Sequence, residues 1–458
     1  MARPHVVVLP MPYQGHVTPL MELSHRLAEC GVDVTFVNTE HNHTLLIDAL
    51  PSGGAGRSSL DGIRMVAVPD GLADGEDRKD ISKLVDGLMR HVPGYLEDLI
   101  RSLEASEGTK ISWLIADGGM AWALRVGKKL GLRCACFWPG SAAFLAVILG
   151  VDRFIQEGVL DEKGWPRRKE TLQLAPGMPP VDTSQLPWNT AGAPEGQPVI
   201  FQLITGNNRA IADVAEVTLC NSFREAEPGA FKLYPDVLPF GPLFADAQFR
   251  KPVGQLFPED ARCIEWLDAQ PERAVVYVAF GSFAIFDPRQ FEELALGLEL
   301  TGRPFLWVVR PDSTAGLSDA WLDEFRRRIA GRGMIVSWCS QQQVLAHRAV
   351  ACFVSHCGWN STMEGVRNGV PFLCWPYFTD QFMNQSYICD VWRNGLPMVP
   401  GPDGVVTKEE VRGKVMRVVG DDGIKERVRA LKDASCRCLA EGGSSYENFK
   451  KFVDLLKE

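Results

Sequence analysis

The residues best suited to chemistry lie between Trp338 and Asn384, around the end of one apolar segment and the start of the next. Ser355-His356-Cys357-Gly358 ends a predicted strand, and Trp359-Asn360-Ser361 opens a predicted helix. A helix start exposes unpaired backbone N–H groups beside the positive end of the helix dipole, which suits a phosphate or pyrophosphate. Gly358 allows a close backbone approach, and His356, Asn360 and Ser361 offer side-chain donors. Taken alone, these side chains would be helix caps and a strand-end histidine.

Four further side chains are spaced to reach the same site. Glu364 lies one helical turn after Asn360, where a carboxylate can accept hydrogen bonds from the vicinal hydroxyls of a ribose. Asp380 and Gln381 begin another helix after the next strand and can bind sugar hydroxyls. Trp338 follows a strand and offers a flat face to a base. Any one of these would be an ordinary residue alone, but together they predict a nucleotide-sugar site.

A second reactive pair lies in the N-terminal half of the chain. Pro10-Met-Pro-Tyr-Gln-Gly15-His16 follows the first predicted strand, so His16 is expected on a loop at its carboxyl end. An imidazole there can take a proton from a hydroxyl group. Asp117 follows the strand Ile111–Ala116 at the same sheet edge, where its carboxylate would orient the ring and stabilise its protonated form. Separately the two read as a loop histidine and a helix cap; together they predict a catalytic dyad.

Other nucleotide and metal motifs are absent from the sequence. No Gly-x-Gly-x-x-Gly follows the first strand, and no Gly-x4-Gly-Lys-Ser/Thr occurs anywhere. Histidines and carboxylates do not recur at metal-ligand spacing, so we expect no bound metal and no cofactor. The close pairs Cys134/Cys136 and Cys436/Cys438 lack the spacing of a zinc or redox motif, which favours reduced thiols in a cytoplasmic protein.

Composition sets broad limits on the possible functions. With 458 residues the chain is long enough for two domains, and its 46% hydrophobic and 23% charged residues are typical of globular proteins. A net charge of −9 makes nucleic acid and anionic membranes poor partners. The uncharged run from Cys134 to Val151 is broken by Pro139-Gly140-Ser141, which favours a buried strand, a turn and a helix over a membrane span. The N-terminus shows no secretory signal pattern.

The elements that must position these residues alternate between strand and helix in both halves, which predicts an α/β chain with parallel sheets covered on both faces. The first unit is strand His5–Leu9, a loop through His16, helix Thr18–Cys30 and strand Asp33–Asn38. A Pro- and Gly-containing stretch, Phe240–Glu259, resembles a linker. We expect two facing doubly wound domains, residues 1–245 and 246–438, with the site in the cleft between them. The amphipathic pattern near Ser445–Leu456 predicts that 439–458 packs back on the first domain.

The segment Trp338–Gln381 resembles the signature of plant secondary-product glycosyltransferases, the family-1 enzymes that move a sugar from a UDP-sugar to small lipophilic molecules. The likeness spans more than forty residues and extends to Gln14-Gly15-His16, Asp117 with Trp122, and Val278-Ala-Phe280-Gly281-Ser282. It therefore covers nearly the whole chain and implies the two-domain GT-B fold. Ser340 stands where proline is usual and Met11 where an aromatic is common. The stretch Asn38-Thr39-Glu40-His41-Asn42 is most similar to the group 83 branch.

The resemblance also implies a role for each matching residue. Trp338 would stack on uracil, and the backbone of Cys339 would bind its edge. Gln341 and Glu364 would hold the ribose. The resemblance assigns the diphosphate to His356, Asn360, Ser361 and Ser282, and the sugar to Trp359, Asp380 and Gln381. Gln381 matches the glucose-preferring form, and His16 with Asp117 matches the family's catalytic dyad.

These expectations together predict one activity, and three alternative functions remain open. The predicted enzyme is a monomeric, metal-independent, inverting glucosyltransferase that uses UDP-glucose as co-substrate and forms a β-glucoside on a hydroxyl group. The alternatives are a C-glucosyltransferase, a non-catalytic UDP-sugar-binding or hormone-binding protein, and an NAD-linked oxidoreductase.

The acceptor pocket is predicted from apolar and aromatic residues, which suit a flat phenolic such as a flavonoid or a phenylpropanoid alcohol. The same residues are equally compatible with an ordinary core. The candidates are Met120, Trp138, Phe144, Trp188 and Phe378.

Overall fold

The structure is a computed structural model that describes residues 3–49, 59–60, 62–107, 110–243, 255–284, 286–311 and 316–458. The strands of the first half are β1 (His5–Leu9), β2 (Asp33–Thr39), β3 (Ser59–Leu60), β4 (Ile63–Val68), β5 (Trp113–Asp117), β6 (Arg133–Trp138), β7 (Thr171–Leu172), β8 (Val181–Asp182), β9 (Val217–Cys220) and β10 (Val237–Pro239). Its helices are α1 (Gln14–Glu29), α2 (Glu40–Ala49), α3 (Ile81–Glu107), α4 (Ala123–Lys129), α5 (Ala142–Leu149), α6 (Val151–Gln156), α7 (Gln197–Val214) and α8 (Pro228–Leu233).

The second half repeats the alternation. Its strands are β11 (Val275–Ala279), β12 (Phe305–Val308), β13 (Gly333–Val336), β14 (Val350–Ser355), β15 (Phe372–Cys374) and β16 (Gly395–Pro397). Its helices are α9 (Arg262–Asp268), α10 (Pro288–Leu300), α11 (Asp319–Ile329), α12 (Gln341–Ala346), α13 (Trp359–Asn368), α14 (Gln381–Ser386), α15 (Lys408–Gly420), α16 (Asp422–Leu439) and α17 (Ser444–Lys457).

Each half forms one main sheet, as predicted. The first has the order β10-β9-β6-β5-β1-β2-β4-β3, parallel except for the antiparallel pair β3 and β4. The second has the order β13-β12-β11-β14-β15-β16 and is parallel throughout. In both, the chain starts in the middle, builds outward to one side and then returns to the other. The switch points lie between β1 and β5 and between β11 and β14, and ligands bind at such points in open α/β sheets.

Apolar side chains on both faces explain why these segments become central parallel strands. In β1, Val6 and Val8 pack into one layer of the core, and Val7 and Leu9 pack into the layer on the opposite face. A sheet covered on both sides needs this continuous apolar run. The short strands β9, β10 and β16, at or next to a sheet edge, are absent from the prediction because three or four residues give little periodicity.

Helix α1 corrects one expectation. It begins at Gln14, so His16 lies in its first turn and not on a loop before a helix at Thr18. Pro19 does not open the helix; it lies in the second turn, where it removes one backbone hydrogen bond. Val17, Leu20 and Leu27 are buried along one side of α1 and hold the helix on the sheet despite this loss.

Helix α17, the last helix of the chain, packs against the sheet of the first domain. Phe452 contacts Trp113 and Phe240 edge to face, at centroid distances of 6.4 and 5.8 Å. Burying a phenylalanine side chain fully is worth about 1.5–3 kcal/mol, which is enough to anchor a terminal helix. The predicted boundary between residues 245 and 246 lies outside the described residues and stays a prediction.

The two domains also contact each other directly. The indole N–H of Trp359 donates to the Asn221 carbonyl at 2.8 Å, and the Thr379 N–H donates to Thr190 Oγ1 at 2.9 Å. All twelve cysteines lie in the described part of the chain and are unpaired thiols. Within the same ranges, none of the helices combines the length and the apolar character that a membrane span needs.

Candidate functional site

A cavity of about 400 Å³ opens between the two domains, at the carboxyl edges of both sheets. Both switch points face it. His16 follows β1 and Asp117 ends β5, while Ser282 and His356 follow β11 and β14. Two regions that are far apart in the sequence therefore meet across one cleft. The predicted site residues that line the cavity are His16, Ser282, Trp338, Cys339, Gln341, His356, Gly358, Trp359, Asn360, Ser361, Glu364, Asp380, Gln381, Trp138, Phe144 and Phe378.

His16 and Asp117 form a hydrogen-bonded pair. Asp117 Oδ2 lies 2.8 Å from His16 Nδ1, and Asp117 Oδ1 accepts the Gly119 N–H at 2.7 Å. Asp117 is fully buried, whereas about a third of the His16 side chain, 34%, is exposed. The Asp117 carboxylate thus caps the turn after β5 with one oxygen and orients the His16 imidazole with the other. Because a carboxylate only accepts, Nδ1 carries the hydrogen, and Nε2 remains free to act as a base.

Four effects determine the pKa of His16. Burial by itself lowers this pKa, but the charge of Asp117, the hydrogen bond that His16 donates to Asp117 and the charge of Asp380 outweigh it and raise the pKa above its usual value. Asp380 lies on the other side of the cleft, where burial raises the pKa of its carboxyl against the opposing effects of Asn384, Thr379 and His16. Carboxylates from both domains thus raise the pKa of His16 and make it a stronger base.

Gln341 organises the deeper part of the second domain's site. Its Nε2 donates to Ser361 Oγ at 2.8 Å and to Glu364 Oε2 at 2.6 Å, and its Oε1 accepts from Tyr277 Oη at 3.1 Å. Burial raises the pKa of Glu364 to about 7, although hydrogen bonds from Gln341 and Gln342 lower it. This network fixes Glu364 at the wall of the cavity, where its carboxyl can bind a ligand hydroxyl.

Trp338 is held as a flat platform at one end of the cavity. Its indole N–H donates to Gln255 Oε1 at 3.1 Å, and the ring of Phe257 lies 4.6 Å away, inclined by 35°. A base would therefore stack on the face of Trp338 that Phe257 does not cover. Cys339 follows as a buried residue, with its Sγ 3.4 Å from Tyr277 Oη.

His356 lies between two glycines at the start of α13. A Cβ at Gly281, whose φ is +67°, would lie 2.7 Å from His356 Nε2, and a Cβ at Gly358 would clash with the same atom. Burial lowers the pKa of His356 to about 4; the Ala279 carbonyl opposes this effect and Arg310 adds to it. The ring is thus neutral near physiological pH, and the positive end of the α13 dipole provides the attraction for a phosphate.

The residues predicted to bind a sugar are fixed by the loop before α14. Gln381 Oε1 accepts the N–H groups of Tyr377 and Phe378, at 2.8 and 3.2 Å, which leaves Nε2 as the part available to a ligand. Asn384 Nδ2 donates to Asp380 Oδ2 at 2.7 Å. Trp359 lines the cavity, but its indole N–H is already bonded to Asn221.

Three of the five candidate acceptor residues line the cavity and two do not. Trp138 and Phe144 meet edge to face at 5.1 Å, and Phe378 approaches from the second domain. Met120 and Trp188 were predicted to line the acceptor pocket, but they do not line the cavity. Both are about 1% exposed and pack in the first domain's core, where the Trp188 indole N–H donates to the Gly164 carbonyl. The apolar character of a residue does not show which way its side chain points.

Several residues absent from the prediction also line the cavity or support its walls. Tyr13 and Phe283 pack edge to face at 5.3 Å beside His16. Asn207 in α7 donates to the Gly119 carbonyl and accepts the Trp122 N–H, both at 2.9 Å, which steadies the turn after Asp117. No spacing signal marks these residues, because only the folded chain brings them to the cleft. Among the described residues, no group of three His, Cys, Asp or Glu is placed to bind a metal ion.

Comparison with known proteins identifies the same architecture elsewhere. A sequence profile described as UDP-glucoronosyl and UDP-glucosyl transferase matches residues 241–434. UDP-glycosyltransferase 83A1 of Arabidopsis thaliana is 41% identical, over 100% of this chain and 97% of its own.

Two solved structures show that the likeness extends to the fold. Os79 from O. sativa in complex with UDP has a TM-score of 0.81 and 30% identity, covering 98% of this chain and 100% of its own. A UDP-glucosyltransferase from Polygonum tinctorium capable of glucosylating indoxyl has a TM-score of 0.83 and 26% identity, covering 100% and 99%. The predicted GT-B arrangement of two Rossmann-like domains is therefore confirmed.

Proposed function

Because the chain belongs to the UDP-glucoronosyl and UDP-glucosyl transferase family and is a glycosyltransferase, we propose that it transfers glucose from UDP-glucose, with inversion, to a hydroxyl of a small phenolic acceptor. The observation that carries this proposal is the His16–Asp117 pair, whose free Nε2 lies in the same cavity as the nucleotide-binding residues. A protein that only binds a UDP-sugar has no need of an oriented base. The family also excludes the NAD-linked oxidoreductase.

The proposed reaction is a single displacement. The acceptor oxygen attacks C1 of glucose as its proton passes to His16 Nε2, and the bond from C1 to the diphosphate oxygen breaks on the opposite face. The electron pair leaves with UDP, and the product is a β-glucoside. Asp117 stabilises the imidazolium that forms. No covalent glycosyl-enzyme is required.

Base catalysis supplies only part of the rate. A positioned general base contributes about 10²–10⁴-fold, so the remainder must come from alignment of the two substrates and stabilisation of the leaving diphosphate. The start of α13 lines the cavity with Asn360 and Ser361, and in this proposal it binds that diphosphate. Gln381, with its free Nε2, supports glucose as the transferred sugar.

The acceptor class follows from the walls of the first domain's side of the cavity. Trp138, Phe144, Ile148 and Ile200 make these walls apolar and partly aromatic, which suits a flat phenolic such as a flavonoid or a phenylpropanoid alcohol. The Polygonum tinctorium relative, which glucosylates indoxyl, supports an acceptor of this kind.

A substrate panel tests the proposal. The full-length protein would be incubated with UDP-glucose and with matched phenols, terpenoid alcohols and carboxylic acids, and products would be detected by mass as a hexose increment. We expect the flat phenols to be converted fastest. Conversion of carboxylic acids alone, or of nothing in the panel, would contradict the proposal. Acid hydrolysis of the product separates an O-glucoside, which is cleaved, from the C-glucoside of the alternative.

Chelation is expected to have little effect on the rate. If the N–H groups at the start of α13 stabilise the leaving diphosphate, no divalent cation is needed for that role. We expect EDTA to change the initial rate by less than about twofold, within the range of an ordinary change in conditions. A large loss that added Mg²⁺ or Mn²⁺ restores would show that a metal takes part.

A further inference from the structure

Helix α1 carries His16 and also contacts the two helices that hold the predicted donor residues. Asn360 Nδ2, from α13, donates to the Gly15 carbonyl at 2.7 Å. Two turns further along α1, Glu22 Oε1 accepts from Gln342 Nε2, from α12, at 3.3 Å. We call this set the α1 seam: Gly15, Pro19 and Glu22 on one side, Gln342 and Asn360 on the other. Gly15, which precedes His16, is thus hydrogen-bonded directly to Asn360 of the predicted diphosphate site.

Pro19 explains why the Gly15 carbonyl is open. In a regular α-helix this carbonyl accepts from the N–H four residues later, which belongs to residue 19. Proline has no N–H, and α1 runs through Pro19 without a break. The carbonyl is therefore left for a donor from outside the helix, and Asn360 supplies it.

The second contact of the α1 seam reaches the ribose end of the site. Glu22 is fully buried, and the Gln342 amide that bonds it also lowers the pKa of Glu364, which burial otherwise raises. Gln342 therefore lies between a carboxyl of the first domain and the carboxyl predicted to hold the ribose. The diphosphate part and the ribose part of the predicted nucleotide site are thus both connected to α1, the helix that carries His16.

We propose that the α1 seam aligns His16 with the donor sugar across the cleft, and that Pro19 is a positioning residue of the transfer reaction. This inference rests on the proposed function, since it takes Asn360 as a donor-site residue. A fixed distance between base and donor matters because a small misplacement of reacting groups is costly: an error of about 1 Å can reduce the rate about 10²-fold.

Pro19→Ala tests the proposal. Alanine restores the N–H at position 19, which bonds to the Gly15 carbonyl within α1 and competes with Asn360. We expect kcat with UDP-glucose and a phenol to fall about tenfold, while KM for UDP-glucose stays within about twofold. The melting temperature should not fall, because the helix gains a backbone hydrogen bond. A merely structural proline would give a variant with at least the activity of the wild type.

Pro93→Ala is the matched control. Pro93 also lies inside a helix, α3, but at a partly exposed position that does not line the cavity. We expect its kcat to equal that of the wild type. A wild-type kcat in Pro19→Ala would overturn the inference. Failure of the wild-type protein to transfer glucose would instead overturn the proposed function.

If Pro19→Ala does not fold, two variants at Glu22 test the proposal instead. Glu22→Gln keeps an oxygen that accepts from Gln342, whereas Glu22→Ala removes it. We expect kcat of Glu22→Ala to be at least about threefold below that of Glu22→Gln, at equal UDP affinity measured by calorimetry. Equal kcat values in these two variants would contradict the proposal.

Discussion

Replacing His16 with alanine should lower kcat by about 10²–10⁴-fold, the range that a positioned general base contributes. His16 Nε2 is the free imidazole nitrogen that faces the cavity, because Nδ1 is bonded to Asp117. The residues of the Trp338–Gln381 segment that would hold UDP lie on the other domain and are untouched by this change. We therefore expect the Kd for UDP, measured by calorimetry, to stay within about threefold of the wild-type value.

The chain offers a matched control for this variant. His347 is also paired with an aspartate, with its Nε2 3.1 Å from Asp268 Oδ1, but neither residue lines the cavity. His347→Ala removes a similar pair and should keep the wild-type kcat. If His16→Ala retained full activity, or if His347→Ala lost as much, His16 would not be the base.

The sheets of both domains could be predicted from the sequence because buried parallel strands are continuous apolar runs. The strand His5–Leu9 has the predicted bounds, and β2 (Asp33–Thr39) extends the predicted Asp33–Asn38 by one residue at its end. Helix starts were harder to predict. The helix predicted to begin at Thr18 begins at Gln14, four residues earlier. Its second turn contains Pro19, because the helix tolerates the lost backbone hydrogen bond and Asn360 donates to the open Gly15 carbonyl.

The donor side of the cavity was more predictable than the acceptor side. Polar residues such as Gln341 and Glu364 follow strand ends and helix starts at fixed spacing, and parallel strands bring those ends to one edge. Gln255 and Tyr277, which hold Trp338 and Gln341, carry no such spacing, since they meet their partners only through tertiary contact. Apolar pocket residues were the hardest to predict, because the core and a pocket wall have the same composition.

Asp117→Asn should reduce kcat by about 10²-fold or more, through the tautomer of His16. The asparagine oxygen can still accept the Gly119 N–H, as Asp117 Oδ1 does at 2.7 Å. The amide nitrogen would then face His16 Nδ1 and donate to it. That places the imidazole hydrogen on Nε2, so the nitrogen facing the cavity can no longer take a proton from the acceptor.

The pH dependence gives this variant a signature that a loss of folding would not produce. Burial alone lowers the pKa of His16, and the charge of Asp117 is the main effect that raises it. Removing that charge lowers the pKa, so the acidic limb of the rate profile should move to lower pH while the plateau falls. Asp268→Asn, the equivalent change at the His347 pair, should leave both limb and plateau unchanged. A limb that stays in place in Asp117→Asn would mean that the ionisation it reports belongs to another group, and that the buried carboxylate acts only as the cap of the turn after β5.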